Sequence, residues 1–144
     1  MSITIDCFKA YDVRGRIPDQ LDEDVARRIG RAFAAAIEPR KVVVGHDIRL
    51  SSPAMSNALS AGLTDGGADV LDIGLCGTEE VYFATAHFDM GGGIMVTASH
   101  NPMEYNGIKF VREAKPFSHS ISRFISNVRR FTKSASSPQH PLWI

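Results

Sequence analysis

Short β-branched runs alternating with longer segments of helical period predict an α/β fold, a largely parallel sheet sandwiched by helices. Three observations carry this. The runs Lys41–Gly45, Val70–Ile73 and Ile94–Thr97 are strand-like, and helical patterns separate them. With 144 residues and 44% hydrophobic content, the chain suits one domain around one core.

The elements follow in order. Ile3, Ile5 and Cys7 alternate with Thr4 and Asp6 as in a half-buried strand, and Cys7–Gly15 continues as an extended stretch ending in a glycine turn. Asp22, Glu23 and Asp24 precede Val25, Ile29, Ala32, Phe33 and Ala36 at helical spacing, with Pro39 just beyond. Acids at the start and a proline past the end bound a helix. Lys41–Gly45 is a buried strand. Ser52 and Pro53 form a cap and first-position pair, opening a helix with Met55, Leu59, Gly62 and Leu63 inward and Gly66-Gly67 at its end. Val70–Ile73 is a strand, Glu79–Phe88 a helix, Gly91–Gly93 a turn, and Ile94–Thr97 and Gly107–Arg112 two further strands. Right-handed crossovers would gather the strand-end loops at one edge, where such sheets bind ligands.

Composition excludes several function classes. No apolar run approaches the ~20 residues of a membrane span, and the start lacks a basic-then-apolar leader. Sixteen basic and sixteen acidic residues cancel, so no global field argues for nucleic acid. Cys7 and Cys76 stand far apart with no CxxC spacing, as in a cytoplasmic protein with reduced thiols. The neutral total hides a break: residues 1–114 carry 11 Lys and Arg against 16 Asp and Glu, while residues 115–144 carry 5 basic residues and no acidic ones. All 12 glycines precede position 115. Phe117, Ile121, Phe124, Ile125 and Val128 recur at helical spacing in the second part, and two prolines follow.

The chemistry concentrates in Thr97-Ala98-Ser99-His100-Asn101-Pro102, which joins two predicted strands. A serine after a buried strand is presented rigidly at the sheet edge, and a following His, Asn and loop amides suit an oxyanion. Lys109 in the next strand adds a mobile point charge, and Arg14 in the Tyr11–Gly15 turn a planar one matched to phosphate. Ser99 is thus a candidate phosphoryl acceptor. The alternative is that Ser99 and Asn101 merely make side-chain-to-backbone turn bonds. No GxSxG elbow surrounds Ser99, which disfavours a serine hydrolase. Asp47 and Arg49 suit an internal ion pair or cap better than catalysis, and His87 has no HxxxH partner for a metal.

TASHNP and the Met103–Lys109 segment after it closely resemble the active-serine loop of the α-D-phosphohexomutases. CFKAYDVRG is similar to that family's N-terminal phosphate-contacting segment, and VGHDIRLS (Val44–Ser51) to its second-strand signature. Gly77-Thr78-Glu79-Glu80 with Val81–Thr85 resembles the bacterial phosphomannomutase/phosphoglucomutase members in particular. The resemblance runs in register from residue 3 to about 116 and matches the first of the family's four domains.

The resemblance implies a phosphoserine enzyme interconverting mannose 6-phosphate and mannose 1-phosphate, or the glucose equivalents, through a 1,6-bisphosphate. Ser99 would carry the phosphoryl group, flanked by His100 and Asn101. Tyr11 and Arg14 would line the hexose phosphate site, and Lys109 would handle a proton or contact phosphate. It also implies Mg²⁺ bridging the Ser99 phosphate and a hexose 1,6-bisphosphate as activator, but the family's Asp-rich metal loop has no counterpart in this sequence. After Pro116 the family continues with an ISGD-like turn, whereas this chain reads Phe117-Ser118-His119-Ser120. The expected organisation is therefore an active-serine domain over residues 1–116 and an atypical basic, Ser-rich tail over 117–144 from a frameshift or truncation. On that expectation the chain is inactive as a mutase; a stand-alone sugar-phosphate-binding module is the alternative.

Overall fold

The computed structural model describes residues 12–37, 39–112 and 115–116. The Ile3–Cys7 strand, Tyr11 and the 117–144 segment lie outside them. In chain order the elements are β1 (Asp12–Arg16), α1 (Glu23–Ile37), β2 (Lys41–His46), α2 (Ser52–Asp65), β3 (Asp69–Leu75), α3 (Thr78–His87), β4 (Gly92–Val96), β5 (Tyr105–Arg112) and β6 (Lys115–Pro116). They form one sheet in the order β1-β5-β4-β2-β3, with β6 paired to β5.

The α/β class stands, with a mixed sheet. β2 runs parallel to β3 and to β4, while β5 is antiparallel to both β4 and β1. The cause is connection length. Helices link β2 to β3 and β3 to β4, but only residues 97–104 link β4 to β5. A parallel crossover takes about a dozen residues or more, so β5 must return antiparallel.

Each helix forms for a local reason and buries one stripe. Asp22 caps α1 by accepting the Val25 N–H at 2.8 Å, and Glu23 and Asp24 complement the helix dipole. Ala26, Ile29, Ala32 and Phe33 are fully buried, and Phe33 stacks on Phe110 of β5 at 5.5 Å between ring centres. α1 and α2 cross at glycines. A Cβ on Gly30 would lie 2.2 Å from the Leu59 carbonyl oxygen, and one on Gly62 would lie 1.9 Å from that of Arg27. The two backbones thus touch without intervening side chains, and Arg27 and Asp65 tie the helices at 2.7 Å.

Three of the boundaries that differ from expectation have a visible structural cause. Ser51, not Ser52, holds the cap position of α2, because the Ser52 hydroxyl turns inward to the Asp47 carboxylate. Gly92 and Gly93 belong to β4 rather than to a turn. α3 lies so close that a Cβ on Gly93 would meet Thr85 Oγ1 at 2.3 Å. Gly15 likewise sits within β1, opposite Asn106, so Arg14 is a strand residue rather than a turn residue.

The strand periodicity sorts the core onto two faces. Val13, Val42, Val44, Ile94, Val96, Ile108 and Phe110 meet α1 and α2. Val43, Met95 and Val111 meet Val81 and Ala84 of α3 on the other.

Candidate phosphoserine loop

The carboxyl ends of β1, β2 and β4 lie at one edge of the sheet, the edge where open α/β sheets take ligands. Ser99 and His100 are exposed there, in the loop that leaves β4. The approach is rigid: Ala98 is buried, the Thr97 N–H donates to the Gly107 carbonyl at 2.9 Å, and the Ser99 N–H donates to Thr97 Oγ1 at 3.0 Å. Ser99 has φ +53°, a left-handed conformation that costs a non-glycine residue about 1–2 kcal/mol. Such strain persists only where surrounding bonds hold it, and it concentrates at functional sites. The Asn101 side-chain amide donates to the Ala98 carbonyl at 2.7 Å. The side-chain-to-backbone turn bond is thus real for Asn101, whose N–H group holds the loop instead of facing a ligand.

Strand register aligns the two cations. Lys109 pairs with Asp12 on one side and with Met95 on the other. Directly paired residues share a face, so Lys109 lies on the α3 side with Met95. Arg14, two residues from Asp12 and opposite Gly107, lies on that face too. Arg14 and Lys109 are therefore diagonal neighbours, within reach of one anion. Gly107 stands between Arg14 and Thr97 at the root of the serine loop. A Cβ there would come within 2.5 Å of the Val13 carbonyl oxygen and 2.7 Å of that of Thr97, so only glycine lets the three backbones approach this closely. Arg14 is 38% exposed and pairs with Asp12 at 3.0 Å, a contact weak enough for a phosphate to compete with.

Behind the loop lies a group whose role the sequence did not reveal. Asp47, just past β2, accepts hydrogen bonds from Thr97 Oγ1 at 2.7 Å, from Ser52 Oγ and from the Arg49 N–H at 3.0 Å. Burial pushes its carboxyl up, but the Ser52 and Thr97 hydroxyls, the Arg49 N–H and the Arg49 charge together hold it below its ordinary value. Arg49 pairs with Asp47 at 3.3 Å, the internal ion pair expected. Its guanidinium also donates to the carbonyls of Ser99, Asn101, Pro102 and Tyr105 at 3.0, 2.7, 2.8 and 3.1 Å. Asn106, fully buried, donates to Ser51 Oγ and Ser52 Oγ at 2.7 and 3.0 Å, joining β5 to the start of α2.

His87 packs between Phe83 and Phe88, at 5.0 and 4.9 Å between ring centres. Among the described residues no three His, Cys, Asp or Glu side chains converge to hold a metal ion. The residues beside Ser99 thus do not make a Mg²⁺ site by themselves, since such sites need a carboxylate in addition to phosphate oxygen. Among the described residues no helix is long and apolar enough to cross a membrane.

Known proteins with this arrangement are similar along nearly the whole chain. Residues 6–133 match the family described as phosphoglucomutase/phosphomannomutase, alpha/beta/alpha domain I. This match passes residue 116 and enters the segment of altered composition. A phosphohexose mutase of Xanthomonas campestris is 58% identical over 139 residues, covering 94% of this chain and 31% of the relative. A phosphomannomutase of Klebsiella pneumoniae is 62% identical over 113 residues, covering 78% of this chain and 72% of the relative. Among solved structures, a phosphoglucomutase/phosphomannomutase family protein from Burkholderia thailandensis superimposes with a TM-score of 0.81 at 38% identity, over 94% of this chain and 31% of that one. The chain thus spans about a third of the length of most of these relatives. An α/β/α sheet with a rigid serine loop at its carboxyl edge, matched over residues 6–133, makes this chain a member of the phosphoglucomutase/phosphomannomutase family that carries its domain I.

Proposed function

We propose that Ser99 is the phosphoryl carrier of a phosphomannomutase-type isomerase, an intramolecular phosphotransferase acting on hexose phosphates. In the forward step the bond between Ser99 Oγ and phosphorus breaks as a hexose monophosphate hydroxyl bonds to that phosphorus, giving a 1,6-bisphosphate. The hydroxyl proton leaves to a base. The bisphosphate, which also serves as activator, then returns its other phosphoryl group to Ser99, so mannose 6-phosphate becomes mannose 1-phosphate. Arg14 and Lys109 neutralise the phosphate, with Tyr11 and His100 completing the contacts. The Ser99 phosphate would give Mg²⁺ one ligand, the others being those of the family's Asp-rich loop, which this sequence lacks; the ion would supply charge neutralisation at the transferring group.

The carrying observation is the exposed Ser99, fixed in a left-handed conformation at the carboxyl edge. Phosphoryl transfer depends on positioning and charge more than on covalent chemistry, and a fixed serine with Arg14 and Lys109 on one sheet face supports that reading. A second reading rests on Arg14 and Lys109, which lie on one face of the sheet. On that reading the 144-residue chain binds sugar phosphates without net turnover.

The test incubates the chain with hexose 1,6-bisphosphate and Mg²⁺ and follows intact mass, with the modified residue located by fragmentation. A single phosphoryl group on Ser99, absent from Ser99→Ala, is the expected result. Binding without phosphorylation would support the module reading, and neither would overturn both. Net conversion of mannose 6-phosphate by the chain alone would show that the domain needs no others.

A further inference from the structure

We infer that Arg49 is the positioning residue that sets the geometry of the Ser99 loop; this rests on the reading of Ser99 as phosphoryl carrier. A guanidinium has five N–H donors in a fixed planar fork. Here the two terminal nitrogens have four acceptors, the Ser99 and Asn101 carbonyls for one and the Pro102 and Tyr105 carbonyls for the other, while Nε lies 3.3 Å from the Asp47 carboxylate as an ion pair. The side chain is 12% exposed. Both terminal nitrogens are thus occupied by the loop, so Arg49 differs in kind from Arg14 and Lys109. It is a fixed cation behind the loop.

The clamp has a directional consequence. In a trans peptide the N–H points opposite to the C=O. With the Ser99 and Pro102 carbonyls drawn onto Arg49, the N–H groups of His100 and Met103 are turned away from it and left for another acceptor. The bond to the Ser99 carbonyl and that from the Ser99 N–H to Thr97 Oγ1 together hold the residue from both sides at its φ of +53°. Asp47 fixes the guanidinium in turn, and Thr97 Oγ1 joins the two systems by donating to Asp47 while accepting from the Ser99 N–H. Lysine cannot substitute, because a single ammonium has three donors and no fork.

The test compares wild-type, Arg49→Lys and Arg49→Met chains. One arm reads the Ser99 backbone angle by NMR, from Cα and Cβ shifts and the amide–Hα coupling. The other reads the rate of Ser99 phosphorylation by hexose 1,6-bisphosphate and the affinity for it. Expected for Arg49→Lys are loss of the left-handed signature at Ser99, unchanged β2 and β4 amide shifts, and a rate lower by about 10²-fold at similar affinity. A wild-type rate and an intact left-handed Ser99 in Arg49→Lys would overturn the inference. If wild-type Ser99 takes no phosphoryl group while Arg49→Lys loses the signature, the clamp stands and the functional reading fails. Should the Arg49 variants not fold, Thr97→Val cuts the link between Asp47 and the Ser99 N–H; the same two changes in smaller measure are expected, and their absence overturns the inference.

Discussion

The two faces of the sheet differ in what they are built to do. On the α1/α2 side, helices seal β1, β5, β4 and β2 with a continuous apolar layer from Val13 through Phe110, Ile94 and Val44. On the other side α3 meets Val43, Met95 and Val111. Further along that same face, β1 and β5 present Asp12, Arg14 and Lys109 instead, all part-exposed. One face supplies the stability, and the other carries two part-exposed cations. Substitutions on the first should therefore move the melting temperature, and substitutions on the second should move ligand binding.

The largest effect belongs to the sealed face. Gly62→Ala puts a methyl 1.9 Å from the Arg27 carbonyl oxygen and 2.8 Å from its carbon. Both are backbone atoms, so α1 and α2 must separate along their length. Overpacking of this kind costs about 3 kcal/mol, which denaturant unfolding would register. A loss below about 0.5 kcal/mol would show that the helices do not cross as described.

Asp47 comes next, because it stands where the faces meet the loop. Its folded carboxyl is held below the 3.8 of an unperturbed aspartate. A depressed carboxyl contributes stability above its unfolded value and loses it as pH falls through the folded one. Wild-type protein should therefore lose this contribution below about pH 4, and Asp47→Asn should show a flatter acid limb. Asp47→Ala, which leaves Arg49 and two hydroxyls without their acceptor, should cost about 2 kcal/mol at neutral pH. An acid limb in Asp47→Asn as steep as in wild type would place the titrating group elsewhere.

The sequence made one of these faces far more legible than the other. Helix α1 announces itself through Asp22, two further acids and a Val25–Ala36 stripe, because those signals are local and periodic. The largely parallel sheet was legible, but the antiparallel return of β5 was not, although the short 97–104 connection carried the information: strand composition alone does not give direction. Gly92 and Gly93 looked like a turn because glycine suits one, whereas here they let α3 and Phe33 approach the strand. The Ser99 loop and its flanking residues were found through motif likeness, and register then put Arg14 beside Lys109. Arg49 was legible only as an ion-pair partner of Asp47. Its carbonyl acceptors lie 50 to 56 positions away, and no local pattern encodes a contact across two strand-end loops.

A smaller prediction concerns the serine itself. Ser99→Gly removes a left-handed strain of about 1–2 kcal/mol and adds back about 0.5–1 kcal/mol of chain entropy on folding. The variant should be about 0.5 kcal/mol more stable than wild type by denaturant titration, and it should accept no phosphoryl group. Ser99→Ala keeps the conformation and should show no such gain. Equal stability of the glycine and alanine variants would mean that the left-handed angle carries no strain.

The smallest stability effects should fall on the open face, and there the contrast between the faces becomes sharpest. Arg14→Ala breaks only the 3.0 Å pair with Asp12, and Lys109→Ala removes a part-exposed ammonium. Each should change stability by less than about 0.5 kcal/mol. Each should nevertheless weaken hexose 1,6-bisphosphate binding by about 10-fold or more, since one charge-assisted hydrogen bond contributes about 1.5–3 kcal/mol. Calorimetric titration at two salt concentrations separates the causes. Neutralising phosphate implies that wild-type affinity falls with added salt and that the variants fall less. Equal affinity in wild type and both variants would remove Arg14 and Lys109 from the binding face and leave the serine loop to bind phosphate through its backbone amides alone.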